Sequence, residues 1–223
     1  MSRSLGRRAA RTSGSPIRPL AAAAVALAAV LLASPAGEGA AQTTRPAPMV
    51  VISDTVDEVL AVLNDASLSG QERRSRIEKI AYRRFDFVTM SRLAVARYWK
   101  RFTSDQQKEL VREFKAFLAR TYGDRIDRYN QEQIEIVGER EETRGDVSVL
   151  TRIVGGEYDT AEVDYRLRGK DGSWRIIDVK IEGISLVLNY RDQFKTVLSR
   201  GGPEGLIEAL REKNTDAEVN EES

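Results

Sequence analysis

The chain of 223 residues contains neither cysteine nor histidine. Without cysteine there is no disulfide framework, no thiolate nucleophile and no sulfur-ligated metal site. Without histidine the Ser-His-Asp triad and the common zinc sites are excluded as well. Only Asp, Glu, Ser, Thr, Lys and Tyr remain for catalysis, which weighs against an enzyme; no catalytic residue, metal ligand or cofactor is assigned. There is no Walker-type phosphate loop, no glycine-rich dinucleotide turn and no calcium-binding loop. Glu139, Glu141 and Glu142 cluster beside a turn, where a solvated hairpin tip is the simplest reading. Charge of one sign is lacking too, with 35 basic against 34 acidic residues. No nucleic-acid footprint follows from such a balance.

What the chain does have begins at its first residues. Arg3, Arg7, Arg8, Arg11 and Arg18 form a cationic start without acids, and Leu20 to Ala33 follow as an unbroken apolar run. That run of 14 residues is short of the ~20 that a spanning helix needs. Small residues then lead to two small-x-small sites, after Ala36 and after Ala41. The order is that of a secretory signal peptide over residues 1–41, with cleavage after Ala41 preferred. The chain from Gln42 onward would be exported, outside the cytoplasm. It keeps 182 residues and a net charge of −3, because five arginines and one glutamate leave with the signal. A chain of that length can bury one real core without disulfides.

Residues 42–52 hold two prolines and two threonines and read as a flexible leader. From Ser53 the apolar spacing is helical, with Val56, Val59, Leu60 and Leu63 on one stripe. Ser69 and Glu72 spell a capping box before a helix carrying Ile77 and Ile80. Phe85-Asp86-Phe87 breaks the pattern, and Val88 to Trp99 resumes it. Thr103 and Gln106 spell a second capping box, opening a long helix with Leu110, Phe114, Phe117, Leu118, Tyr122, Ile126 and Tyr129 on one broad face.

After Tyr129 the period falls from near 3.6 to 2. Ile134 and Ile136 alternate with polar residues, as do Val147 to Ile153 and Ala161 to Leu167. Asp171-Gly172 is a hairpin turn, and Trp174 to Ile181 is the next strand. In that strand Trp174 and Ile176 lie in one parity and Ile177, Val179 and Ile181 in the other. Either both faces are covered or a bulge switches faces at Ile176-Ile177. Gly183 ends the strand. A helix from Ile184 to Leu198 follows, Gly201-Gly202 stops it, and Pro203 opens a final short helix. Residues 214–223 are acidic and nearly free of apolar side chains, and read as a disordered tail. The fold class is therefore α+β: N-terminal helices, an antiparallel meander of four strands, and C-terminal helices, in a single domain over residues 53–213.

Four segments carry a family resemblance. They are Met90 to Trp99; Phe102-Thr103 with Gln106-Gln107, Phe114 and Thr121-Tyr122; Tyr165 to Leu167 with Gly172 to Val179; and Glu182 to Val187 with Asn189 to Phe194. In this order and spacing the chain resembles the MlaC family of periplasmic lipid carriers, the toluene-tolerance group. The resemblance implies an NTF2-like fold, a curved antiparallel sheet of about four to five strands with helices enclosing an apolar pocket, with phospholipid as ligand and no enzymatic activity. It implies as partners an inner-membrane ABC transporter complex with a membrane-anchored substrate-binding subunit, and an outer-membrane lipoprotein and porin complex. A neighbouring branch of the family is associated with hopanoid lipids, and the residues do not separate the two.

The residues offer a candidate pocket lining. A sheet face with Val147, Val149, Val163, Tyr165 and Val179 would oppose Phe114, Phe117, Leu118 and Tyr122. Ile184, Leu186 and Val187 would form a wall or mouth beyond Gly183. Ordinary core residues would show the same pattern. Two other functions stay open at this level. One is a pocket isomerase using Asp178 as base and Tyr165 as donor, although Asp178 should face solvent. The other is an adaptor presenting an exposed apolar patch. Arg97 reads either as a cation at a helix C-terminus or as a contact for lipid phosphate.

Overall fold

A computed structural model describes residues 47–123 and 129–221. The signal peptide, the leader up to residue 46 and Ile126 lie outside the described residues. Helix α1 spans Pro48–Leu63, α2 Gly70–Arg84, α3 Phe87–Val95 and α4 Ser104–Gly123. Strands β1 (Gln133–Glu141), β2 (Val147–Val154), β3 (Glu162–Lys170), β4 (Ser173–Ile181) and β5 (Ile184–Ser185) follow, and α5 runs over Leu186–Glu221. The α+β order is the one read from the sequence. Among the described residues no helix is long and apolar enough to cross a membrane.

Both capping boxes form. Ser69 Oγ accepts from the Glu72 amide while the Glu72 carboxylate accepts from the Ser69 amide. Thr103 and Gln106 repeat the exchange at the start of α4. Each exchange satisfies two donors that a helix N-terminus would otherwise leave open. Five boundaries differ from expectation. Helix α4 spans Ser104–Gly123, and Tyr129, expected on its face, is not helical and packs with α1 and the sheet instead. Ile184–Ser185 form β5, so α5 starts at Leu186 rather than at Ile184. Helix α1 starts at Pro48, so residues 48–52 belong to it rather than to a leader. Proline suits a first helical turn, and Val51 and Ile52 are buried. Helix α3 stops at Val95, where Ala96 takes φ 48°, and a 3-10 turn of Ala96–Arg101 follows. Asn214 is not part of a loose tail. It is buried and its side-chain amide donates to the Glu113 carbonyl and carboxylate. Helix α5 is broken at Gly202 (φ 61°), ahead of Pro203, as the Gly-Gly-Pro run anticipates.

The sheet is a five-stranded antiparallel meander in the order β1-β2-β3-β4-β5. Val147 lies opposite Leu167, Val149 opposite Tyr165 and Thr151 opposite Val163, so these six share one face. The register between β3 and β4 slips where Ile177 is inserted, pairing Tyr165 with Val179 but Leu167 with Ile176. That bulge puts Val179 and Ile176 on the same face despite their opposite parity. The β3–β4 turn is Asp171-Gly172 and the β4–β5 turn is Glu182-Gly183, all four residues at positive φ. Such two-residue turns match the right-handed twist of the strands they join.

Two hydrophobic cores result. The first is helical: Met90 and Ala94 of α3, Leu110, Phe114, Phe117 and Leu118 of α4, and Leu186, Val187, Tyr190, Phe194 and Leu206 of α5. Phe114 meets Tyr190 and Phe194 edge-on at 5.4 and 5.2 Å between ring centres. The second is a sheet–helix layer in which α1 and α2 cover the inner sheet face, joining Val51, Ile52, Val56 and Ile77 to Ile134, Val149, Ile153, Val163, Tyr165 and Ile176. Phe85 packs against both cores. Its backbone bridges to Ile176 in β4, and the Asp86 amide donates to the Ile176 carbonyl at 2.9 Å. The break at Phe85-Asp86-Phe87 is thus the joint between the two cores.

Candidate functional site

The residues expected to face one another across a pocket divide between the two cores. Val149, Val163 and Tyr165 are buried in the sheet–helix layer, Val179 packs against it, and Val147 sits half-buried on the same face. Phe114, Phe117 and Leu118 lie in the helical core with Leu186 and Val187, and Tyr122 packs against them. The sheet face is therefore opposed by α1 and α2, not by α4. The broad apolar face of α4 finds its partner in α5 instead, through the aromatic contacts around Tyr190. Ile184 is 51% exposed and belongs to neither core.

The pairing of Asp178 with Tyr165 as base and donor is also corrected. Asp178 is opposite Arg166 while Tyr165 is opposite Val179, so the two side chains leave adjacent strands on opposite faces. Nor does Asp178 face solvent. It is 4% exposed, accepting from Ser185 Oγ at 2.6 Å and from the Val187 amide at 3.1 Å. Ser185 Oγ in turn accepts from the Leu188 amide. These contacts cap α5. Burial raises the Asp178 carboxyl above its ordinary value against the lowering effect of those hydrogen bonds. Burial also raises the Tyr165 phenol. Among the described residues no group of three acidic side chains could hold a metal ion.

The outer sheet face is polar. Asp146, 1% exposed, receives both Arg166 and Arg168, with contacts between 2.5 and 3.0 Å. Burial alone would push its carboxyl up, but Arg168 and Arg166 hold it below the usual range. Glu142 takes Ser148 Oγ and Arg140, and Arg140 also reaches Asp164. Two of the three glutamates that cluster beside the turn hold structural contacts, since Glu139 also accepts from the Met49 amide at the start of α1.

A cleft of about 290 Å³ opens where the sheet–helix layer meets the surface. Val51 from α1, Arg83 and Arg84 from the end of α2, and Ser173, Trp174 and Arg175 from the start of β4 line it. Val51 belongs to the layer and Trp174 packs against it, so the cleft has an apolar floor continuous with the interior. Its rim is cationic. Arg83 and Arg84 both pair with Glu58. Burial tends to raise that carboxyl, and the two guanidiniums hold it below its ordinary value. None of the six lining residues carries a periodic signal that joins it to the others. Val51 lies where a leader was expected, and an Arg-Arg pair at a helix C-terminus is ordinary dipole compensation.

An antiparallel meander with helices laid across its inner face, an apolar interior and a cleft where that layer meets the surface defines an NTF2-like α+β domain. Residues 53–212 match the MlaC protein family. The chain belongs to that family. It is 26% identical over 117 residues to the toluene tolerance protein Ttg2D of Pseudomonas putida, an alignment spanning 52% of this chain and 54% of that relative. The chain therefore aligns with only about half the length of that curated relative. Its structure is similar, with a TM-score of 0.68 and 28% identity, to the phospholipid-binding protein from Ralstonia solanacearum solved in complex with a phospholipid. The similarity covers 75% of this chain and 97% of that one.

Proposed function

We propose that this protein is a soluble periplasmic carrier that buries phospholipid acyl chains in the layer between the α1–α2 pair and the inner sheet face. The observation that carries the reading is the likeness to a phospholipid-bound protein over nearly all of that protein's length. The cleft supports it, because its apolar floor leads straight into the layer. At about 290 Å³ the cleft sits at the foot of the ~300–1,000 Å³ range of small-molecule sites. Acyl chains need more room, so α1 must part from the sheet. The thermodynamics allow this. Each buried methylene gains about 0.8 kcal/mol, so a chain of ~16 carbons gains roughly 12 kcal/mol. Apolar packing is non-directional, and hydrocarbon tails can replace the contacts that α1 gives up. Val147, Val149, Val163, Tyr165 and Val179 are then lining residues. Phe114, Phe117, Leu118, Tyr122, Leu186 and Val187 support the wall from the helical core.

On this reading the carrier exchanges lipid with an inner-membrane ABC transporter complex and an outer-membrane lipoprotein complex, and no catalytic step is involved. Protein purified from a bacterial host should carry phospholipid detectable by native mass spectrometry. Val163→Trp should fill the layer and lower uptake from labelled vesicles about tenfold, equivalent to ~1.4 kcal/mol. Its melting temperature should stay within a few degrees of the parent. Lipid-free protein that takes up nothing, or a variant in which folding and uptake fail together, would defeat the proposal.

A further inference from the structure

The rim of the cleft has a charge and a geometry that the burial of hydrocarbon does not require. Three guanidiniums, those of Arg83, Arg84 and Arg175, stand around a floor of Val51 and Trp174. The Glu58 carboxylate neutralises one of them, leaving a local excess of two positive charges. Arg175 is exposed and has no ion-pair partner among the described residues. Arg84 Nε is buried without a hydrogen-bond acceptor, and a buried donor left unpaired is costly enough to suggest that an acceptor is missing. A low-dielectric wall of Trp174 and Val51 beside these cations strengthens their pull on an anion.

Resting on the carrier reading above, we propose that Arg83, Arg84 and Arg175 bind the phosphate of the lipid head group at the mouth of the acyl layer. Guanidinium forks match phosphate oxygens in pairs. A phosphodiester would take the open Arg84 Nε–H and the free Arg175 fork, while its tails pass over Val51 into the interior. The protein would then select phosphate-bearing lipids against neutral amphiphiles of the same apolar bulk, including the hopanoid class.

The test compares transfer of fluorescent phosphatidylglycerol and fluorescent diacylglycerol from neutral vesicles to the purified protein. The parent should prefer the phospholipid by about tenfold or more, as one lost charge-assisted contact would predict. Arg175→Glu should erase most of that preference, lowering phosphatidylglycerol uptake about tenfold more than diacylglycerol uptake, with the melting temperature unchanged because the position is exposed. Arg175→Lys should keep only part of the preference, since the charge remains but the paired fork is lost. Uptake of both lipids without preference, or a preference that survives Arg175→Glu, would overturn the head-group assignment and leave the carrier reading standing. Uptake of neither lipid would instead sink the carrier reading. Inorganic phosphate supplies the last arm. If it raises the melting temperature as much as phosphatidylglycerol does, and Arg175→Glu abolishes that rise, the cleft binds free phosphate and the head-group assignment falls.

Discussion

The core around Tyr190 is closed by directional contacts at every side. Arg191 Nε donates to the Leu93 carbonyl, joining α5 to α3. Asn214 and Arg211 bind Glu113 and Glu109 of α4. Asp178 fixes the start of α5 to β4. The layer beneath α1 is held otherwise. Its contacts are mainly apolar and undirected, and α1 is tied at its ends, by the Met49 amide to Glu139 and by Asn64 to Tyr129. Glu58 binds α1 to α2 rather than to the sheet, and α2 meets β4 at the Phe85-Asp86 joint. Directional bonds specify one arrangement, whereas apolar contact accepts a substitute of similar shape. On the proposed function, the first region stays shut and the second exchanges protein contacts for hydrocarbon.

Four changes would break or sharpen this contrast. Phe114→Ala removes the ring that meets both Tyr190 and Phe194 in the closed core. It should cost about 3–5 kcal/mol in chemical denaturation; a loss below about 1 kcal/mol would mean that this core also yields. In the other region, the absence of native cysteine permits a clean lock. Met49→Cys with Glu139→Cys, joined by a short bis-maleimide, should hold α1 on the sheet and lower lipid uptake about tenfold, near 1.4 kcal/mol. Undiminished uptake by the cross-linked protein would show that α1 need not move.

The polar outer face supplies a pH readout. The carboxyl of Asp146 is held below its unfolded value of 3.8, so the native state binds that proton less readily than the unfolded chain does. Its contribution to stability is present above pH 3.8 and is lost as the pH falls from there through the depressed native value. Asp146→Asn should therefore flatten the acid limb of stability against pH, and an unchanged slope would contradict the assignment. Asp178 acts in the opposite sense. Its raised value makes the native state lose stability as the pH climbs from 3.8 through the native value. The smallest effect belongs to Glu139→Gln, which weakens the anionic contact at the start of α1 by about 0.3–1 kcal/mol. Hydrogen exchange of the α1 amides should quicken while that of α4 stays constant.

Much of the local structure was legible in the sequence because it depends on neighbours in the chain. Ser69-Glu72 and Thr103-Gln106 name their own hydrogen bonds. Asp171-Gly172 names its turn, the parity conflict at Ile176-Ile177 names its bulge, and Gly202-Pro203 names the break in α5. Pro48 to Ile52 was harder to read, because two prolines and two threonines nearby hid the buried pair Val51 and Ile52. Asn214 looked like the start of a polar tail because its partner Glu113 lies 101 residues away.

The sequence alone determined which face of most helices and strands turns inward, since apolar spacing is a property of one helix or one strand. It also determined the family, through motifs that survive in order and spacing. Only the tertiary structure decided what each face meets. It turned α4 toward α5 and the sheet toward α1, turned Asp178 from solvent to the cap of a helix, and assembled Val51, Arg83, Arg84, Trp174 and Arg175 from three elements into one cleft. The physical reason is that hydrophobic burial is non-directional: a stripe of leucines and phenylalanines records that it is covered, but carries no mark of the surface that covers it.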